Sequence, residues 1–505
     1  MPAMAREEKV AETKAKAKPA PPHYLVVTFP AQGHISPARH LAQRLLRATP
    51  GSRVTLSTAV SACRKMFPEN NAAEVELVDG AGIHYAAYSD GHDEGFDREK
   101  GDNAAYMRAL RLVGAQTLDA LLGRFRDEGR PVTRIVYTLL LSWVAAVARA
   151  HGVPSALYWI QPATVLAAYF HYLRRTDGVD KAIADAARAG DLWAEVQIPG
   201  ITAQLRVRDL PSFLISGAVV DDPASSDDPY VMVLAEFLED LAALAREDDP
   251  KVLVNTFDAM EPDAVATLRE HGLGVVPVGP LLSFLDAGLG TPAPASNNDL
   301  FQQDGKDYMA WLDAQQEGSV VYISFGSLSV MSERQVAEIA RGMADSGRPF
   351  LWVLRKDNRA GAGIDVDGIS EKGGNGMVVE WCEQGKVLGH AAVGCFVTHC
   401  GWNSTVESVA CGVPAVGVPQ WTDQGTNAWL LERIGVGVRA AVSEDDGVLE
   451  AEELQRCLAF AASEPVRAQA ALWRDKARAA AAQGGSSEKN LRAFMEQAIA
   501  PGGGN

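Results

Sequence analysis

The feature that most constrains this chain is a short apolar run repeated with a turn and a helical pattern behind it. Tyr24 to Phe29 is uncharged throughout, Pro30 ends it, and Gln32-Gly33-His34 forms the turn. A run this brief with no polar face suits a strand buried in the interior of a parallel sheet. A helix is expected from about Ser36, where Leu41, Leu45 and Leu46 share one face, and Arg53 to Thr58 reads as the next strand. Parallel neighbours need a crossover, so this strand–loop–helix–strand rhythm points to an α/β layer fold.

The rhythm occurs in two series. In the first, Val132 to Tyr137 and Ser155 to Trp159 read as strands around a helix over Trp143 to Arg149, and Val252 to Asn255 reads as the last strand. Asp209 to Tyr230, rich in Asp and Pro, reads as surface loop. In the second, Val320 to Phe325, Phe350 to Leu354, Cys395 to Thr398 and Pro414 to Val418 read as strands. Helices are expected over Ser332 to Ser346, around Val406 to Ala410 and over Thr426 to Arg433, with a Gly-rich loop over 359–375. The chain divides accordingly into a disordered leader (1–22), a first domain (23–276) and a Pro-, Gly-, Ala- and Ser-rich linker (277–298). A second domain (299–483) and a closing helix with its tail (484–505) complete it.

At 505 residues, the chain is long enough for two or three cores. Its 64 acidic against 47 basic residues give a net charge of -17, the wrong balance for a nucleic-acid surface. No run approaches 18 uninterrupted apolar residues, so no membrane insertion is expected. The leader has no apolar segment of the secretory kind, and its Glu7, Glu8 and Glu12 argue against a transit peptide. A cytoplasmic protein is therefore expected, and nothing in the sequence calls for a partner chain, so a monomer is expected too. Six cysteines are too few for a disulfide framework. The four between Cys382 and Cys411 lack the paired spacing of a structural zinc site, and no metal is expected.

In open α/β sheets, ligands bind beyond the carboxyl ends of strands. That draws attention to the segments after residues 29, 137, 325 and 398. His34 stands past the first strand, where an imidazole can serve as general base or simply cap a helix. His399-Cys400-Gly401-Trp402-Asn403-Ser404 follows another strand and opens a helix, whose free N–H groups favour anions. Gly401 leaves backbone room there, while Asn403 and Ser404 can cap the helix or donate to phosphate. Phe325-Gly326-Ser327 repeats the theme. The aromatic cluster of Tyr158, Trp159, Tyr169, Phe170 and Tyr172 suits a core or the wall of an apolar pocket.

Trp381 to Gln424 resembles, without a gap, the signature of plant secondary-product UDP-glycosyltransferases. It runs from Trp381-Cys382-Glu383-Gln384 through the His399 to Ser404 segment to Pro419-Gln420-Trp421-Thr422-Asp423-Gln424. Phe29 to His34, Phe325-Gly326-Ser327 and the domain order resemble the same family, so the likeness covers nearly everything after residue 22. It implies the GT-B fold, two Rossmann-like open α/β domains facing across a cleft. The first domain would hold a small hydrophobic acceptor and the second UDP-sugar, with the last helix crossing back. It also implies that Trp381 stacks on uracil, that the Cys382 backbone reads the uracil edge, and that Gln384 and Glu407 hold the ribose. His399, Asn403, Ser404 and Ser327 would address the diphosphate, and Trp402, Asp423 and Gln424 the sugar. Gln424 at the last position resembles glucose-preferring members, so UDP-glucose is the expected donor substrate and no cofactor is implied.

The implied reaction is inverting transfer of glucose to a hydroxyl, forming a β-glucoside, with His34 as base. One position departs from the family pattern: where an Asp usually orients the histidine, Ile135-Val136-Tyr137-Thr138 places Thr138. A Thr can hydrogen-bond imidazole but gives imidazolium no full charge. Either Asp90 or Asp93 supplies that charge, or the acceptor is acidic enough to need little base. A flavonoid or other phenolic is the expected acceptor. Alternatives are a glucose ester on a carboxylic acid, a terpenoid or sterol acceptor, and a non-catalytic UDP-sugar-binding protein. The acceptor pocket is expected around Trp143, Gln161, Phe170 and Phe213. A dinucleotide-dependent oxidoreductase is disfavoured, because no Gly-x-Gly-x-x-Gly turn follows the first strand of either series.

Overall fold

The computed structural model describes residues 21–68, 76–97, 101–220, 228–282, 300, 305–359 and 375–496. Most of the expected leader and linker, and nearly all of the Gly-rich loop, lie outside the described residues. In the first half the strands are β1 (His23–Val27), β2 (Arg53–Ser57), β3 (Leu77–Val78), β4 (His84–Tyr85), β5 (Arg134–Thr138) and β6 (Ser155–Trp159). They are followed by β7 (Glu195–Val196), β8 (Leu205–Arg206), β9 (Lys251–Val254) and β10 (Gly274–Pro277). In the second half they are β11 (Val320–Ser324), β12 (Phe350–Val353), β13 (Gly376–Val379), β14 (Val393–Thr398), β15 (Ala415–Gly417) and β16 (Gly437–Arg439).

Two sheets result. The first has eight strands in the order β10-β9-β6-β5-β1-β2-β4-β3, parallel except where β3 meets β4. The second has six, all parallel, in the order β13-β12-β11-β14-β15-β16. β7 and β8 form a separate hairpin. The central strands β1, β5 and β11 are buried along their whole length, as apolar runs flanked on both faces by helices must be.

The strand order locates the site. In the first sheet the chain leaves β1 towards β2 and later returns to its other side as β5. In the second it leaves β11 towards β12 and returns as β14. Each reversal opens a crevice at the carboxyl ends of the two central strands, the point at which such sheets bind ligands. Thr138 ends β5 beside β1, and Thr398 ends β14 beside β11.

Several expectations are corrected. The helix after β1 runs from Gln32 to Ala48, starting four residues before Ser36, because Ala31 is extended and serves as the cap residue directly after Pro30. Pro37 is carried inside that helix. The segment read as loop over 209–230 contains a helix, Ser212–Ala218, and the start of another, Pro229–Leu244. Pro211 and Pro229 sit at the starts of these helices, where a missing N–H costs nothing. β9 is not the last strand of its series, since β10 pairs alongside it.

The last helix, Ser486–Glu496, buries Leu491, Phe494 and Met495 in the core of the first half. Arg134 stacks 4.4 Å from the Phe494 ring centre, and the Asn490 amide donates to the Pro277 carbonyl at 2.9 Å. A further apolar cluster joins Phe257, Met260 and Leu282 of the first half to Trp402, Val406 and Val409 of the second.

Candidate active site

The two crevices open into one cavity of about 1480 Å³. Its first-half wall is mainly apolar and includes Phe29, Leu139, Leu140, Trp143, Phe213 and Phe237. Its second-half wall carries Ser327, Trp381, Cys382, Gln384, His399, Trp402, Asn403, Ser404, Glu407, Asp423 and Gln424. Every residue that the signature assigns to the donor therefore lies on one continuous surface, and His34 lies on it as well.

His34 occupies the first turn of the helix after β1, and its Nδ1 is 3.3 Å from the Thr138 hydroxyl. That hydroxyl also accepts the Phe29 N–H at 3.1 Å and donates to the Thr28 hydroxyl at 3.4 Å. With its own hydrogen directed to Thr28, Thr138 receives Nδ1–H and leaves Nε2 as the basic nitrogen. Asp90 is buried and turned elsewhere: it accepts the His92 N–H at 2.9 Å and the Tyr106 hydroxyl at 3.1 Å. Asp93 accepts the Ser89 hydroxyl at 2.7 Å. Neither carboxylate is part of the cavity wall, and the partner seen at Nδ1 is Thr138.

The asparagine opposite makes an informative contact. Pro37 has no N–H to donate to the Gly33 carbonyl four residues earlier. That carbonyl instead accepts the Asn403 amide at 3.1 Å, joining the His34 turn to the other half of the molecule.

The segment after β14 is shaped for an anion. Cys400 takes the left-handed conformation (φ 63), and the helix Trp402–Cys411 begins at Gly401 with no side chain capping it. Its first-turn N–H groups thus face the cavity end with the positive end of the helix dipole. A methyl group on Gly326 would lie 2.7 Å from the His399 ring, and one on Gly401 would lie 2.6 Å from it. Both positions must be glycine for the ring to sit between them. Burial pushes the His399 imidazole down to about 4, with the Ser324 backbone opposing. The ring is therefore neutral at pH 7 and can donate one hydrogen bond.

Gln384 donates to the Ser404 hydroxyl at 2.9 Å and to Glu407 at 2.6 Å, while the Tyr322 hydroxyl reaches Gln384 at 3.3 Å. Burial pushes the Cys382 thiol up to about 12, so its side chain is inert. Asp423 is buried, which holds its carboxyl up at about 6 although Asn427 donates to it at 2.9 Å. Gln424 accepts the Gln420 and Trp421 N–H groups at 2.8 and 3.1 Å. The Trp402 indole N–H is committed to the Asn255 carbonyl of the first half at 2.9 Å, so only its backbone remains for a ligand.

Of the residues expected at the acceptor end, Trp143, Gln161 and Phe213 line the cavity. Phe170 does not: it packs edge-on against His171 and His271, under the Arg174 guanidinium. The sequence reading missed Arg111 and Glu236, which form an ion pair on the wall, and Asp240, buried one turn along from Glu236. The signal available was three acids, Glu236, Glu239 and Asp240, in the otherwise apolar stretch 229–244. Among the described residues no group of His, Cys, Asp and Glu is arranged to hold a metal ion, and none of the helices is long and apolar enough to cross a membrane.

The chain resembles known proteins along most of its length. The model of the family described as UDP-glucoronosyl and UDP-glucosyl transferase matches residues 297–458. UDP-glycosyltransferase 75C1 of Solanum lycopersicum is 44% identical over 94% of this chain and 98% of its own length. Phloretin 4'-O-glucosyltransferase of Malus domestica is 42% identical over 94% of this chain and 97% of its own. The crystal structure of Os79 from O. sativa in complex with UDP superposes with a TM-score of 0.79 at 32% identity, covering 94% of this chain and all (100%) of that one.

Proposed function

The chain belongs to the UDP-glucoronosyl and UDP-glucosyl transferase family and has its GT-B fold, and on that premise we propose that it transfers glucose from UDP-glucose to a phenolic hydroxyl. The observation that carries this reading is the one cavity lined by His34 and by every residue the resemblance assigns to the donor.

At the donor end, Trp381 stacks on the uracil and the Cys382 backbone reads its edge, while Gln384 and Glu407 hold the ribose. Ser327, His399, Asn403, Ser404 and the open first turn of helix Trp402–Cys411 take the diphosphate. Asp423, Gln424 and the Trp402 backbone hold the glucose. At the acceptor end, the acceptor oxygen forms a bond to C1 as the bond from C1 to the diphosphate oxygen breaks. The proton passes to His34 Nε2, and UDP leaves with its added charge held by preorganised donors. Attack from the side opposite the leaving group converts the α-linked donor into a β-glucoside.

A phenolic acceptor is supported by the apolar wall and by the phloretin glucosyltransferase among the relatives. Thr138 favours one second reading, glucose-ester formation on a carboxylic acid. A neutral hydroxyl stabilises imidazolium less than a carboxylate does, which suits acceptors already ionised. We further propose a cytoplasmic monomer; the cavity built from a single chain supports the monomer only.

Incubation with UDP-glucose and a panel of flavonoids, simple phenols, hormone-like acids and terpenoids, read by mass spectrometry, tests the proposal. Phenolic glucosides are the expected products. Products only from acids or terpenoids would overturn the acceptor class, and transfer from UDP-galactose in preference would overturn the donor.

A further inference from the structure

We infer that Asp240 is a positioning residue that holds the strained Leu140 turn, and through it the acceptor end of the cavity, in the shape required for transfer. The inference rests on the assignment of the first-half end to the acceptor. The turn Leu139–Leu141 links β5, with Thr138 at its end, to the helix Trp143–Ala150. Leu139, Leu140 and Trp143 all line the cavity.

Leu140 has φ 70, in the left-handed region that a bulky side chain rarely adopts. Such a conformation persists only where the surroundings impose it. Here the Leu140 N–H donates to Asp240 Oδ2 at 2.8 Å. Asp240 is fully buried, and its other oxygen meets no hydrogen-bond partner. A buried carboxyl that spends one oxygen on a single backbone N–H has no evident use except to hold that N–H. Burial also raises the carboxyl well above the usual carboxylate range, which disfavours its charged form, and an amide oxygen could accept the same N–H.

The helix that bears Asp240, Pro229–Leu244, grips a second wall one turn earlier. There Glu236 accepts twice from Arg111 Nη2, at 3.0 and 2.9 Å, on the long helix Asn103–Asp127. One helix therefore ties the turn beside the catalytic pair to the opposite side of the pocket.

The test compares steady-state kinetics of Asp240→Ala, Asp240→Asn and the double variant Asp240→Ala/Leu140→Gly, varying UDP-glucose and a phenolic acceptor separately. Asp240→Ala should raise the acceptor KM about tenfold, the loss expected when a buried N–H is left unpaired, with the UDP-glucose KM within about twofold. Asp240→Asn should stay near wild type, since its side-chain oxygen can accept the same N–H. Glycine adopts the left-handed conformation without help, so Leu140→Gly should recover part of the loss. An unchanged acceptor KM in Asp240→Ala, or damage from Asp240→Asn equal to that from Asp240→Ala, overturns the inference. A shift in the UDP-glucose KM alone would instead overturn the placement of the acceptor. Should Asp240→Ala not fold, thermal denaturation decides. The double variant must then fold and Asp240→Asn must keep its acceptor KM, and failure of either overturns the inference.

Discussion

The two ends of the cavity are built in opposite ways. The proposed donor end comes mainly from one continuous stretch, Trp381 to Gln424, whose polar groups bond to one another and to the helix that follows: Gln384 to Ser404 and Glu407, Gln424 to its own turn, and Asn427 to Asp423. The acceptor end is gathered from the helix Gln32–Ala48, the helix Asn103–Asp127, the turn after β5 and the helix Pro229–Leu244, and its wall is largely apolar. Each end follows from what it must recognise. A nucleotide sugar presents many fixed donors and acceptors, so its site needs many side chains in set relative positions. An apolar acceptor asks for shape and one well-placed base.

If the ends are functionally separate, substitutions should divide cleanly between them. The largest expected effect is at His34. His34→Ala should lower kcat for a weakly acidic phenol about a thousandfold, the usual contribution of a positioned base, while calorimetry finds UDP affinity unchanged. Comparable loss of UDP affinity would break the comparison. Trp381→Ala comes next: removing the stacking ring should raise the UDP-glucose KM about tenfold and leave the acceptor KM alone.

Thr138→Val should have a smaller effect on kcat, about fivefold, because it removes one neutral hydrogen bond from the imidazole. Thr138→Asp sharpens the point. It should raise activity on weakly acidic alcohols more than on phenols, as read from the ratio of the two rates.

The smallest expected effect is the pH response of Asp423. Its carboxyl, held up at about 6 by burial, gains a proton as the pH falls through 6 and ceases to be an anionic acceptor for sugar hydroxyls. UDP-glucose affinity should weaken about threefold there. The stability sign is opposite. The native state binds this proton more tightly than the unfolded chain does, so the group's contribution is present below about 4 and lost as the pH rises through 6. Asp423→Asn should remove both inflections.

The same contrast explains what could be read in advance. The strands β1, β5, β6, β11 and β14 were legible because a buried parallel strand is apolar on both faces, and Ser155–Trp159 was found to the residue. The residues proposed for the donor, Ser327 apart, could be named together because they lie within one contiguous stretch, Trp381 to Gln424. The acceptor end was not, since its residues come together only through tertiary packing. Nothing local marks Arg111 as the partner of Glu236, 125 positions away. The helices at 212 and 229 were hidden by prolines that lie at their starts and so read as loop. Phe170 was drawn into the pocket by its aromatic neighbours, although the helix Ala163–Arg174 turns it towards His271.

The central claim is that the acceptor end supplies base chemistry through His34, oriented by Thr138, while the donor end supplies binding. Its most direct test is the transfer rate for a series of phenols of graded acidity, measured in the wild type and in His34→Ala at saturating UDP-glucose. The account predicts a defect that is largest for the least acidic phenol and shrinks steadily as the acceptor becomes able to ionise on its own. A defect of equal size across the whole series would contradict it.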